Sequence, residues 1–396
     1  MTGTLLCQAC HSDSVSVFHE QDDVPVNSCI LLDTREQALQ FPVGRIALGF
    51  CSACGFIANT AFDPGLIEYS ARYEETQGFS ATFNRFHRRL AQDLIDRYDL
   101  HGKRVLEIGC GKGEFLVLLS ELGGNEGIGF DPGYDERRMQ SDAAERLTFI
   151  KDFYSEQYSD VKADLVCCKM TLEHIPAIAG FLAMVRRAIG DAADTAVFFQ
   201  IPEATRILRD CAFEDIYYEH CSYFTPGSLA RAFRSAGFQV LGLDTAYDGQ
   251  YLMIDASPAT GPMNEALAQE NDLETVSRYV SDFPARYQAL ITEWSRTLEA
   301  MHAAGERVVL WGSGSKAVAF LKAVDRHRLI EYVVDINPYR QSHFMPVTGQ
   351  RIVSPDFLVE YRPDAVVVMN PIYSEEIQGD LAALGLRPRM HTLGGD

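Results

Sequence analysis

Tyr217-Tyr218-Glu219-His220, followed by Cys221-Ser222-Tyr223-Phe224, sets a carboxylate beside an imidazole among phenols. That combination is equipped to move a proton: imidazole titrates near neutrality, and an adjacent carboxylate could tune it. Upstream lies Glu107-Ile108-Gly109-Cys110-Gly111-Lys112-Gly113, a glycine-rich turn that lets a backbone approach a nucleoside ligand closely. Further upstream, Cys7-x-x-Cys10 and Cys51-x-x-Cys54 form two matching pairs. Each pair can bend around one ion, so Cys7, Cys10, Cys51 and Cys54 are expected to hold a structural Zn(II). Four sulfurs close the coordination shell, so no catalysis is assigned to this metal. Reduced thiols without metal are the alternative reading. Cys29, Cys110, Cys167, Cys168, Cys211 and Cys221 are expected to be buried small hydrophobes.

A chain of 396 residues is too long for one core, and two or three domains are expected. The 47% hydrophobic and 23% charged content is that of an ordinary globular protein. A net charge of -20 opposes binding to a phosphate backbone, so nucleic acid is not an expected partner. Residues 1–6 carry no basic segment and no long apolar run, which argues against a secretory signal. No stretch reaches the roughly 18 apolar residues needed to span a bilayer. A cytoplasmic protein without a membrane partner is expected.

The elements that would position these groups can be traced along the chain. Phe83, Phe86, Leu90, Leu94 and Ile95 follow helical spacing within residues 80–100. Arg104-Val105-Leu106-Glu107-Ile108 is a strand that runs into the glycine turn and then an apolar-periodic helix. Gly127-Ile128-Gly129-Phe130-Asp131 is a second strand ending in an acid, suited to ribose hydroxyls. Phe149-Ile150-Lys151-Asp152 is a third, whose acid could meet an adenine amine. Asp164-Leu165-Val166-Cys167-Cys168 is a fourth, ending at Lys169-Met170-Thr171-Leu172-Glu173-His174-Ile175. A nicotinamide-binding domain is the competing reading, but the turn spells Gly-x-Gly-x-Gly and not Gly-x-Gly-x-x-Gly. The order of strands and acids resembles class I S-adenosylmethionine-dependent methyltransferases. That resemblance implies an α/β Rossmann-like sheet. It assigns Glu107, Gly109, Gly111, Gly113, Asp131, Asp152, Lys169 and the rest of the loop 169–174 to the cofactor cleft. Glu173 reads equally well as a surface charge.

Methylation at oxygen or nitrogen needs little beyond orientation. A carbon beside a carbonyl must first lose a proton, which calls for a placed base and a donor to the enolate oxygen. The Tyr-x-Glu-His string followed by Ser-Tyr-Phe, together with the four cysteines at the N-terminus, is similar to the zinc-containing sugar C-methyltransferases. These act on nucleotide-linked keto-deoxysugars and carry a C-terminal associated domain. The resemblance implies His220 as base, Tyr217 and Glu219 beside it, and His174 near the oxyanion. It also implies a pocket tyrosine from the linker, either Tyr73 or Tyr69. The sequence departs from the family at Tyr218, where histidine is common, and at Glu203, where an aromatic is common. The linker Tyr73-Glu74-Glu75-Thr76-Gln77-Gly78 is not the serine-rich version. These departures bear on the identity of the sugar more than on the reaction type.

Beyond two closing strands near 237–240 and 251–255, residues 263–304 are expected to run helical. Val308-Val309-Leu310-Trp311-Gly312-Ser313-Gly314-Ser315-Lys316 then begins a second strand-turn-helix unit, with further strands at Tyr332-Val333-Val334 and Ala365-Val366-Val367-Val368. Its turn amides could accept a pyrophosphate, or the fold could have lost its ligand. The resemblance favours a role in enclosing a sugar nucleotide, with Lys316 as a candidate phosphate contact. The expected organisation is a zinc-binding domain at 1–68, a methyltransferase domain at 69–262, a helical linker at 263–304 and a C-terminal Rossmann-like domain at 305–396.

Overall fold

The computed structural model describes residues 5–70 and 72–393. The first four residues of the opening segment considered above lie outside the described residues. Three sheets organise the chain. In the first, β1 (Val15–Pro25), β2 (Val43–Cys51) and β3 (Ile57–Asn59) pair antiparallel. Its fourth strand, Ser222–Tyr223, comes from far downstream, immediately after Cys221.

The second sheet holds β4 (Arg104–Ile108), β5 (Glu126–Phe130), β6 (Leu147–Ile150), β7 (Leu165–Lys169) and β8 (Ala196–Pro202). After β9 (Ser222–Tyr223), which belongs to the first sheet, β10 (Phe238–Ala246) and β11 (Tyr251–Pro258) complete it. Its spatial order is β10-β11-β8-β7-β4-β5-β6. Strands β4 to β8 are parallel, while β11 runs against both β8 and β10. This is the class I methyltransferase Rossmann-like α/β fold. The strand order reverses between β4 and β7, and the crevice at such a reversal is where ligands of open α/β sheets bind.

Both faces of this sheet are covered. Cys168, Val166, Val197 and Phe199 point into one core with Leu182 and Phe233. Cys167, Leu165, Ala196 and Phe198 point into another with Leu90, Leu94 and Phe115. Adjacent Cys167 and Cys168 thus serve opposite faces, as the two-residue period of a strand requires. Helix Ala81–Tyr98 lies under the second core. Ser80 caps it by accepting from Phe83 N, and Phe83, His87, Leu90, Leu94 and Ile95 form its buried stripe.

The third sheet contains β12 (Val308–Trp311), β13 (Tyr332–Val334), β14 (Arg351–Val353), β15 (Ala365–Val368) and β16 (Arg389–Thr392). All are parallel, in the order β14-β13-β12-β15-β16. Strands β14 and β16 were not anticipated: three or four residues of half-buried sequence carry little periodic signal. A single helix, Leu273–Ala303, joins the second sheet to the third, and Pro284 lies inside it. It starts ten residues later than expected. Pro262 and the polar stretch 264–266 precede it without helix, and one short 3-10 turn, Ala268–Glu270, intervenes. Among the described residues no helix is long and apolar enough to cross a membrane.

Candidate functional site

The four cysteines of the two pairs converge. Cys7 Sγ lies 3.6 Å from Cys54 Sγ, and Cys10 Sγ lies 3.7 Å from Cys51 Sγ. All four sulfurs fall within 4.8 Å of one another. Zinc–sulfur bonds of about 2.3 Å in a tetrahedron require sulfurs roughly 3.8 Å apart, so the cluster fits this ion. Among the described residues the group consists of these four cysteines, and none of them lines the large cavity described next.

Above the ends of β4 and β7 opens a cavity of about 650 Å³. Of the expected cofactor residues, Glu107, Gly109, Gly111, Asp131, Asp152 and Lys169 line it. Gly109 has φ +69°, and a Cβ there would stand 2.0 Å from Thr171 Oγ1 on the loop after β7. Only glycine fits both the backbone conformation and that approach. Gly113 does not line the cavity. It begins helix Glu114–Gly123, and a Cβ on it would meet the Phe149 ring at 2.6 Å, so it serves packing against β6. Asp131 accepts from Gly111 N at 3.0 Å and Gly133 N at 2.7 Å, which fixes its carboxylate at the cavity wall. Asp152 accepts from Tyr158 Oη and Gln157 Nε2 at 2.7 and 2.9 Å. Glu107 is buried with Oε2 lacking a hydrogen-bond partner, and burial pushes its carboxyl up to about 8. Lys169 Nζ lies 2.8 Å from His87 Nε2 and 3.9 Å above the Phe115 ring, and burial holds its basicity down. A cavity with a glycine floor, an unpartnered carboxylate oxygen and a fixed Asp131 could hold S-adenosylmethionine.

The same cavity is lined by His220, His174, Tyr217, Tyr69 and Tyr73. The His220 ring lies 4.0 Å from the Tyr217 ring and 4.9 Å from the His174 ring. His174 Nδ1 is 3.0 Å from Tyr69 Oη and 3.1 Å from the Glu219 carbonyl oxygen. Tyr69 therefore touches the histidine pair, while Tyr73 packs edge-on to Tyr69 and against Glu219. Burial lowers His174 to about 4. Burial, His174 and Lys316 together hold His220 well below the usual imidazole range. Both imidazoles are neutral near pH 7, the state in which one can accept a proton.

Glu219 does not serve the ring of its neighbour. Its Oε1 accepts from Asn27 Nδ2 at 3.0 Å and from Ser28 N at 3.1 Å, and its Oε2 accepts from Ser28 Oγ. Sequence adjacency sends the two side chains in different directions, and Glu219 instead ties the first unit to the methyltransferase sheet. The carboxylate beside His220 is Glu173, only 1% exposed and not a surface charge; its Oε1 is 3.9 Å from His220 Nε2. Tyr218, one of the departures, points away from the cavity and donates or accepts at Asp63, while Glu203 caps the helix Ala204–Asp210.

The second glycine turn closes the far wall through Gly312, Gly314, Ser315 and Lys316. Lys316 reaches the cavity but is ion-paired to Asp215, which Arg206 also contacts at 2.9 Å. Arg340, 6% exposed, lines the same wall and donates to the carbonyl oxygens of Ser313 and Glu74. Among the described residues it makes no ion pair with a carboxylate. Neither Arg340 nor Glu75, which overhangs Gly111, was singled out from sequence. Glu75 stood in the linker string, and burial pushes it up to about 7.

Comparison with known proteins supplies the missing context. A methyltransferase-domain family model matches residues 83–243, and the model of the C-methyltransferase C-terminal domain matches residues 251–386. The chain is 28% identical over 308 residues to C-methyltransferase NovU of Streptomyces niveus, across 73% of this chain and 72% of that one. By both models and this relative, the chain is similar to the S-adenosylmethionine-dependent C-methyltransferases. It is also 26% identical over 173 residues to the ubiquinone biosynthesis O-methyltransferase of Neisseria meningitidis serogroup C, across 38% of this chain and 70% of that one. Among solved structures, the N,N-8-amino-8-demethyl-D-riboflavin dimethyltransferase RosA from Streptomyces davawensis aligns with a TM-score of 0.37 at 18% identity. That alignment covers 45% of this chain and 56% of RosA.

Proposed function

We propose that this chain is a C-methyltransferase that methylates the carbon beside the ketone of a nucleotide-linked keto-deoxysugar, with His220 as the general base. The observation that supports this reading is that His220 and the glycine turn after β4 line one cavity. Bound over the glycine turn, S-adenosylmethionine supplies an electrophilic methyl group. Glu107 and Asp131 would hold its amino and ribose groups, and Asp152 and Lys169 would border it.

His220, neutral and buried, takes a proton from the carbon next to the carbonyl. The C–H electron pair passes into the enolate, and Tyr217 donates a hydrogen bond to the enolate oxygen, since the one N–H of neutral His174 is held by the Glu219 carbonyl oxygen. The carbanion then faces the methyl group across the cavity. Burial keeps the imidazole unprotonated at neutral pH. The second glycine turn, with Lys316 and Arg340 on the cavity lining, supports a diphosphate-bearing substrate, because turn amides and cations suit an anion. The zinc held by Cys7, Cys10, Cys51 and Cys54 is structural in this reading.

Incubation with methyl-labelled donor and a nucleotide-linked keto-deoxysugar, followed by NMR of the product, tests the assignment. Label bonded to ring carbon next to the former carbonyl is expected. Label on oxygen would defeat it and favour O-methylation of another small molecule by the same fold.

A further inference from the structure

We propose that Glu173 is the positioning partner of His220, the carboxylate that accepts the Nε2 proton of His220 as the ring takes a proton from the substrate carbon. This rests on the reading of His220 as the base. Glu173 stands in the turn Leu172–His174 just after β7, and His220 stands two residues before β9, so two separate elements bring them together. They are 1% and 3% exposed, and Oε1 faces Nε2 at 3.9 Å. Neither oxygen of Glu173 has a hydrogen-bond partner, nor does His220 Nδ1. Buried polar atoms are rarely left so, and an orphaned carboxyl beside an orphaned imidazole is most simply a pair that engages during the reaction. The 3.9 Å gap exceeds a hydrogen bond, but catalytic contacts are commonly long before substrate binds.

The other groups around the pair do not compete for the role. His174 and Tyr217 flank His220, Tyr223 lies 6.2 Å away ring to ring, and Lys316 adds positive charge from the third sheet. Cys221 donates its thiol proton to the Glu173 backbone carbonyl, not to the carboxyl. Glu219 is occupied by Asn27 and Ser28.

Burial pushes Glu173 up to about 8, while His220 is driven well below its usual range. One proton shared by the two therefore rests on Glu173. The step balances as follows. The substrate C–H bond breaks and leaves its electron pair in the enolate. The imidazole gains that proton, and the proton on Nε2 passes to Oε1 of an ionised Glu173, returning the ring to neutral. Turnover needs Glu173 ionised at the start, so kcat is expected to rise with pH through about 8.

The test uses the zinc-loaded full-length enzyme and Glu173→Gln. In the wild type, the His220 Cε1 signal of 13C-histidine-labelled protein should inflect near pH 8, with no substrate needed. In Glu173→Gln that inflection and the alkaline rise in kcat should both vanish, kcat at pH 9 should fall about 10²- to 10⁴-fold, and S-adenosylhomocysteine affinity should be unchanged. A wild-type signal without that inflection, or a Glu173→Gln variant with the wild-type profile, would overturn the pairing. His220→Ala separates the two claims: near-normal turnover there defeats the base itself. Loss of turnover in His220→Ala with a normal Glu173→Gln defeats only the role of Glu173.

Discussion

Gly109 shows how tightly single positions are determined around the cavity. A Cβ at this residue would have to occupy space held by Thr171 and adopt φ +69°. The conformation alone costs roughly 1–2 kcal/mol for a non-glycine residue. Gly109→Ala is therefore expected to lower the thermal midpoint and weaken S-adenosylhomocysteine binding in calorimetry. Unchanged affinity would mean that the turn does not shape the cofactor site. The turn was legible in the sequence because its glycines, its strand and its helix are consecutive. The carboxylates were legible only in part. Asp131 was readable from its place at the end of a strand, but the direction of a side chain in a loop is set by tertiary packing. That is why Glu219, next to His220 in sequence, turns to Asn27 and Ser28, while Glu173, 47 residues upstream of the histidine, faces it. Gly113 illustrates the same limit, since its neighbour Phe149 arrives from another strand.

Strand β9 couples the cysteine cluster to His220, the proposed base. Tyr223 pairs with Ile57 and Ser222 with Ala58, three to four residues beyond Cys54, and His220 precedes β9 by two residues. Arg231 adds a second tie by donating to the Cys54 carbonyl oxygen at 2.9 Å. Removing the zinc proposed for this cluster should loosen residues 5–65 in hydrogen exchange and carry β9 with them. Turnover is then expected to fall by about tenfold or more, while S-adenosylhomocysteine affinity stays within about twofold, because the glycine turn lies on β4. Loss of S-adenosylhomocysteine binding on chelation would contradict this division. The Cys-x-x-Cys pairs were readable from spacing alone. A two-residue strand that joins a sheet formed more than 160 residues earlier was not, since it has no length in which to show a period. Helix Leu273–Ala303 kept its apolar stripe through Pro284, so its existence was readable and its start was not.

The three sheets meet around one cavity, and each contributes to its wall. Cys29 comes from the first unit, Gly109 and His220 from the second, and Ser315 and Arg340 from the third. Ser28 Oγ bridges all three, lying 2.7 Å from Ser315 Oγ while donating to Glu219. The resemblance anticipated such an arrangement of parts, but the seams between them depend on contacts hundreds of residues apart. If this assembly exists to make a carbon nucleophile, proton removal must occur without methyl transfer. The direct measurement is exchange in D2O. Wild-type enzyme, loaded with S-adenosylhomocysteine and a nucleotide-linked keto-deoxysugar, should incorporate deuterium at the carbon beside the ketone, as followed by NMR. His220→Ala should bind S-adenosylhomocysteine normally and exchange about 10²- to 10⁴-fold more slowly. Exchange at the wild-type rate in His220→Ala would contradict the account.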